Sequence, residues 1–298
     1  MRTTVPSLDG ALVRVSALEY PPPVPYVNHG PMACEALATL GFEASLDEWV
    51  LAFESALEAA APAEAPDWGA EFGWQDALGD RRLLPQWLGY FERAVGHDGW
   101  STVVATWVPR LMPGLAAALF HGVIRTSHAV RAIDAADTGP RREELARALA
   151  TWAAWFQPGH EAVAGTSPLG PRHSAPEAAA LIAASAARSY VAAPTIVRLH
   201  GVTGAMAVEL LVPHLAEADA DAAVHQLGAE HGTPSASPLH RSADEDAGQW
   251  DLGVETAAAR SLDPHQIKLV EACRRGLAAT GDGWFVDAAR TVTRSTAR

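Results

Sequence analysis

The chain has 298 residues, 49% of them hydrophobic and 19% charged, with ten Trp, which excludes a polar disordered chain and leaves ample material for a buried core. A net charge of -13 and a pI of about 5.3 weigh against nucleic acid as a partner, since phosphate tracking needs clustered Lys and Arg. Cys34 and Cys273 both lie in apolar helical segments and read as buried small hydrophobes rather than a disulfide or metal pair. The N-terminus has no apolar signal core and no apolar run reaches the ~18 residues of a membrane span, so the expectation is a soluble, cytoplasmic protein with no membrane partner.

In chain order, "PPPVPYVNHGP" is too rich in proline for a helix, and residues 1–25 are expected to form an extended arm. A short helix follows in "PMACEALATLG", started by Pro31 and stopped by Gly41. Apolar residues at 46, 49, 50 and 53 predict a helix over 45–60, capped by Ser45 with Glu48 three residues on. Residues 81–95 and the run "SHAVRAIDAADTGPRREELARALATWAAWF" repeat the helical spacing, and "GLAAALFHGVIRTSHAVRAI", apolar almost all round, predicts one buried helix. "PTIVRLHGVTGAMAVELLVPHL" is another, started by Pro194. Loops are expected at 157–176 and 231–250, both dense in Gly, Pro and Ser. Strand alternation, βα units and fixed-period repeats do not emerge, so the expected fold is all-α, a single helical-bundle-like domain over 1–298. Dinucleotide, Walker-type, nucleophile-elbow and C-x-x-C motifs are also missing from the sequence.

Eleven of the twelve histidines divide by setting. His160, His173, His225, His231 and His240 sit in polar or Gly/Pro-rich stretches and read as solvated. His97 in "VGHDGW" is a lone His-Asp pair without the companions a phosphohydrolase motif requires. His29, His121, His128, His200 and His265 lie in apolar, small-residue surroundings, where an imidazole must find partners for its ring nitrogens. Gly follows His29, His121 and His200 directly, as close approach at a converging centre in a bundle demands.

One Lys, Lys268, stands against 21 Arg. It follows the cap Asp263 and Pro264 and shares the first turn and a half of a helix with His265. Arg stays protonated, whereas a desolvated Lys becomes a neutral amine able to act as nucleophile or base, or to take up CO₂ as an anionic carbamate. A snorkelling or ion-paired lysine is the simpler alternative.

Four motifs, "NHGPMACEALATLG", "FHGVIRTSHAVRA", "LHGVTGAMAVELLVPHL" and "DPHQIKLVEACRRG", occur in an order that resembles the questin oxidase-like family of polyketide pathways, over roughly residues 26 to 277. The resemblance implies a helical protein with a non-haem Fe(II) centre and O₂ as co-substrate, opening anthraquinone-type rings by Baeyer-Villiger-like or dioxygenase chemistry. It implies His29, His121, His200 and His265 as imidazole ligands and Lys268, as N6-carboxylysine, as the anionic one. Other members resemble H-x-x-x-H at the second motif, where this chain has His121 and Arg125. His128 and Arg125 are the candidate catalytic residues: His128 either supports a ligand or replaces one, and Arg125 either holds a substrate oxygen or forms an ion pair. The expected partner is a small aromatic substrate. NADPH remains a conceivable reductant without a motif to bind it. Two other readings stand beside the oxygenase: a zinc hydrolase at the same site, and a non-catalytic helical ligand-binding protein.

Overall fold

The computed structural model describes residues 7–20, 27–55, 57–65, 73–160, 173–231 and 250–294. Its helices, in order, are α1 (Leu8–Val15), α2 (Gly30–Thr39), α3 (Leu46–Glu54), α4 (Trp74–Ala77), α5 (Leu84–Asp98), α6 (Trp100–Leu111), α7 (His121–Ala135), α8 (Gly139–Ala154), α9 (Ala175–Ala192), α10 (Ile196–Leu211), α11 (Glu217–His231), α12 (Leu252–Ala259), α13 (Pro264–Thr280) and α14 (Trp284–Arg294). The sheet among the described residues is one antiparallel pair, β1 (Leu18–Glu19) with β2 (Glu58–Ala59). The fold is therefore all-α and bundle-like, as the helical periodicity predicts.

Four helices position the site. α2 packs on α7, α7 on α10, α10 on α13 and α13 back on α2, closing a ring, with α8 and α9 laid against its outside. The core is dominated by Ala, Leu and Val, which let helices approach closely, while Trp87, Trp107 and Trp152 fill the larger spaces and are almost fully buried. The segment Ile196–His214, α10 with its following turn, is apolar and long enough to cross a membrane by length and composition, and most of it is buried inside the bundle.

The cap of α13 follows the sequence, whereas at α10 Pro194, expected to start the helix, lies one residue before the cap Thr195. Thr195 accepts a hydrogen bond from the Arg198 N–H at 3.3 Å, and Asp263 accepts one from the His265 N–H at 2.9 Å. Elsewhere the structure departs from expectation. Leu8–Val15 is a helix, capped by Ser7 on the Gly10 N–H at 3.2 Å, so the arm over 1–25 is not extended throughout; residues 21–26 of its proline run lie outside the described residues. Ser45 makes no side-chain cap, because the 3₁₀ turn Glu43–Ser45 leads directly into α3, which ends at Glu54. Most of the two expected loops, 161–172 and 232–249, falls outside the described residues.

The largest departure precedes His121. Instead of one helix from Gly114 onward, Ala118, Leu119 and Phe120 take left-handed φ values of 49°, 57° and 63°, and α7 starts afresh at His121. A left-handed non-glycine residue costs roughly 1–2 kcal/mol. Packing offsets that cost: Phe120 presses on Gly204, where a Cβ would stand 2.7 Å from the ring, and Trp152 on Gly122, where it would stand 2.5 Å away. Helical periodicity alone could not reveal this break, because the interrupted segment is as apolar as the helix it replaces.

Candidate metal centre

Each ring helix contributes one histidine at its own N-terminal end. His29 is the cap of α2, His121 and His265 are the first and second residues of α7 and α13, and His200 is the fifth of α10. Four helix N-termini thus point their positive dipole ends at one place, which favours neutral imidazoles and an anionic ligand there.

The ring nitrogens are fixed from outside. His29 Nδ1 donates to the Val27 carbonyl at 2.5 Å, His200 Nδ1 to the Ile196 carbonyl at 2.8 Å, and His121 Nδ1 to the Ala118 carbonyl within the left-handed turn. His265 Nδ1 meets the Asp263 carboxylate at 3.1 Å. With the Nδ1 protons so committed, the Nε2 atoms turn inward as bare lone pairs. His121 Nε2 lies 2.8 Å from His29 Nε2 and 3.2 Å from His200 Nε2, and His29 Nε2 lies 3.0 Å from His265 Nε2. The four donor atoms all fall within 4.8 Å of one another. Bare lone pairs at such spacing repel unless a cation lies between them. Metal–nitrogen bonds of ~2.0–2.1 Å at right angles place neighbouring nitrogens about 3 Å apart, the spacing found here. The donor set therefore fits a metal ion.

Burial reinforces the neutral state. Desolvation first, and the Lys268 charge second, push His121 down to about 3 and His200 down to about 2, and hold His29 well below its ordinary value. Lys268 is 1% exposed, its Nζ 3.9 Å from Met32 Sδ, and burial lowers the amine to about 7. Carbamate formation requires just such a neutral amine.

His128 does not join the four. Two turns along α7 its Nδ1 meets Glu35 at 2.6 Å, in a polar layer drawn from all four helices and buried at Glu35, His128 and Glu271. Arg131 binds Glu35 and Glu271; Arg275 binds Glu271 at 2.8 Å and also Glu209. Burial pushes both carboxyls up, but the cations around them together outweigh it: Arg131 and His128 keep Glu35 well below the usual range, and Arg131, Arg275 and His128 hold Glu271 at about 2. Arg125 points away from the histidines: Nε and Nη2 bind Glu144 at 2.6 and 2.9 Å, both residues buried. Of the two alternatives for Arg125, the structure has the ion pair.

Two participants escape the sequence reading. Asp263, read there only as a cap, also holds the His265 ring, and its spacing two residues ahead could have suggested this. Asn28 fixes the entry to α2 by donating to the Val15 and Leu18 carbonyls, both at 2.7 Å, and no pattern marked it.

No curated protein and no solved structure matches the chain. A family model does match, over the stretch that carries His29, His121, Arg125 and His128 but ends before His200, His265 and Lys268. Over residues 26–136 the chain matches the Questin oxidase-like family, the family its ordered histidine motifs resemble.

Proposed function

We propose that the protein is a non-haem iron-dependent oxygenase of an aromatic polyketide or anthraquinone-like phenol. In this reading His29, His121, His200 and His265 hold Fe(II), and Lys268, as its carbamate, provides the anionic oxygen ligand. The observation that carries the reading is the inward convergence of four Nε2 lone pairs, each imidazole locked by a partner at Nδ1. Bound iron would supply the one-electron and O₂ chemistry that side chains lack.

The chain's own residues do the rest. The neutral Lys268 amine bonds to the carbon of CO₂ and gives up one proton, turning a buried neutral amine into a carbamate anion that balances part of a ferrous charge. The Nδ1 hydrogen bonds keep the imidazoles aimed inward and raise their basicity. His265, with a side chain 25% exposed, marks the open side of an otherwise buried cluster. Leu119, Ile196, Val197 and Leu262 are exposed apolar residues that stand two to four positions ahead of His121, His200 and His265 in the sequence. Apolar surface so placed suits an aromatic ring and excludes water from its contact.

The test is oxygen consumption by iron-loaded protein with a panel of hydroxylated anthraquinones. Substrate-dependent uptake in wild type, lost in Lys268→Arg, is the expected result, since Arg cannot be carboxylated. Full activity in Lys268→Arg would remove the lysine from the site, and turnover under strict anaerobiosis would replace the oxygenase with a hydrolase.

A further inference from the structure

A cavity of about 250 Å³ lies between the end of α1, the β1–β2 pair, α5, α7 and α8, and none of the four histidines lines it. Its wall carries Arg81, Arg82, Arg125 and Arg147 against a single acidic residue, Glu19. Such a concentration of guanidinium is unexpected on a protein of net charge -13. Arg125 is neutralised by Glu144 and Arg82 by Asp80. Arg81 lies over the Trp155 ring with its carbon 5.0 Å from the centroid. Among the described residues the Arg147 guanidinium has no ion-pair or hydrogen-bond partner, although it and Arg125 both act electrostatically on Glu19. Among the described residues, four guanidinium groups thus stand against Glu19, Glu144 and Asp80, an excess of one positive charge.

A second polar group stands on the same wall. Ser16, 7% exposed, lines the cavity with a buried Oγ that has no hydrogen-bond partner. A buried hydroxyl left without a partner costs free energy, and a turn about its Cα–Cβ bond would bring it to an acceptor bound in the cavity. The remaining lining, including Leu84, Pro85, Leu88 and Ala150, is apolar. The volume is below the ~300 Å³ at which sites for drug-sized ligands begin, so the ligand is small.

We propose that this cavity binds a small organic monocarboxylate, its carboxylate on Arg147 and the Ser16 hydroxyl and its apolar body against Leu88 and Pro85. A planar carboxylate matches the fork of a guanidinium, accepts from the serine, and brings the one negative charge the lining lacks. The site is separate from the histidine cluster and does not depend on the metal.

Isothermal titration of the full chain with benzoate tests the assignment, with benzamide as the neutral isostere and inorganic phosphate as the alternative oxyanion. Neither Arg147→Gln nor Ser16→Ala removes a side-chain hydrogen bond or ion pair within the described residues, so both variants are expected to fold. The expected result is saturable one-to-one binding of benzoate and none of benzamide. Affinity falls roughly tenfold or more in Arg147→Gln and a few-fold in Ser16→Ala, the usual worth of a charged and a neutral hydrogen bond. No saturable benzoate binding, equal binding of benzamide, or unchanged affinity in both variants would overturn the proposal, as would binding of phosphate in place of benzoate.

Discussion

Lys268→Met in the metal-free protein isolates the electrostatic cost of the buried amine. The side chain is enclosed beside Met32, so a methionine of similar length fits the space. Burial lowers the amine from 10.5 to about 7, while in the unfolded chain it keeps its ordinary value. The sign follows from proton counts. Above pH 10.5 both states are neutral at this position and the lysine carries no charge penalty. Between about 7 and 10.5 the unfolded chain is protonated and the folded one is not, so wild-type stability falls as pH falls; below about 7 the whole cost is present. At ~1.4 kcal/mol per pH unit, that interval amounts to about 5 kcal/mol. Urea unfolding of chelator-treated, CO₂-free wild type and Lys268→Met, at pH 7 and at pH 10.5, measures it. Lys268→Met should be the more stable by several kcal/mol at pH 7, and the two should converge at pH 10.5. A pH-independent difference, or a variant less stable at pH 7, would refute a lysine held by burial without an ion-pair partner among the described residues.

Three further predictions follow from the same geometry. In metal-free protein His29, His121 and His200 stay neutral while the unfolded chain protonates below its ordinary 6.5, so stability is full above that pH and falls by about 1.4 kcal/mol per pH unit for each histidine toward pH 3; acid titration by circular dichroism reads the slope. Arg125→Met strands buried Glu144 and should cost about 3–5 kcal/mol, most of it recovered in Arg125→Met/Glu144→Met, while activity per folded molecule is unchanged; denaturant unfolding with a parallel activity assay separates the two. Gly122→Ala drives a Cβ into Trp152 at 2.5 Å and should destabilise by about 1–3 kcal/mol, seen as a lowered Tm.

Much of this was legible in the sequence, for physical reasons that differ by element. The start of α13 could be read because Asp263 and Pro264 are local signals for a local structure. His29, His121, His200 and His265 stood out because a buried imidazole without a partner is costly, and four of them on separate helices share one economical solution. What escaped depends on contacts distant in sequence. His128 sits on the same face of α7 as His121, yet Glu35 on α2 draws it into a different layer. Arg125 is claimed by Glu144 across the α7–α8 packing, and the left-handed turn before His121 is held by Gly204 and Trp152, residues that lie far along the chain. Periodicity describes one helix at a time and carries no record of such pairings.

Metal content per chain tests the central claim most directly, measured on protein purified anaerobically in bicarbonate buffer beside His200→Ala. Near-stoichiometric iron in wild type, lost in His200→Ala, is the predicted result. Wild-type protein that takes up no metal even after anaerobic reconstitution would contradict it, leaving the four histidines as packed side chains held by their Nδ1 partners and one another.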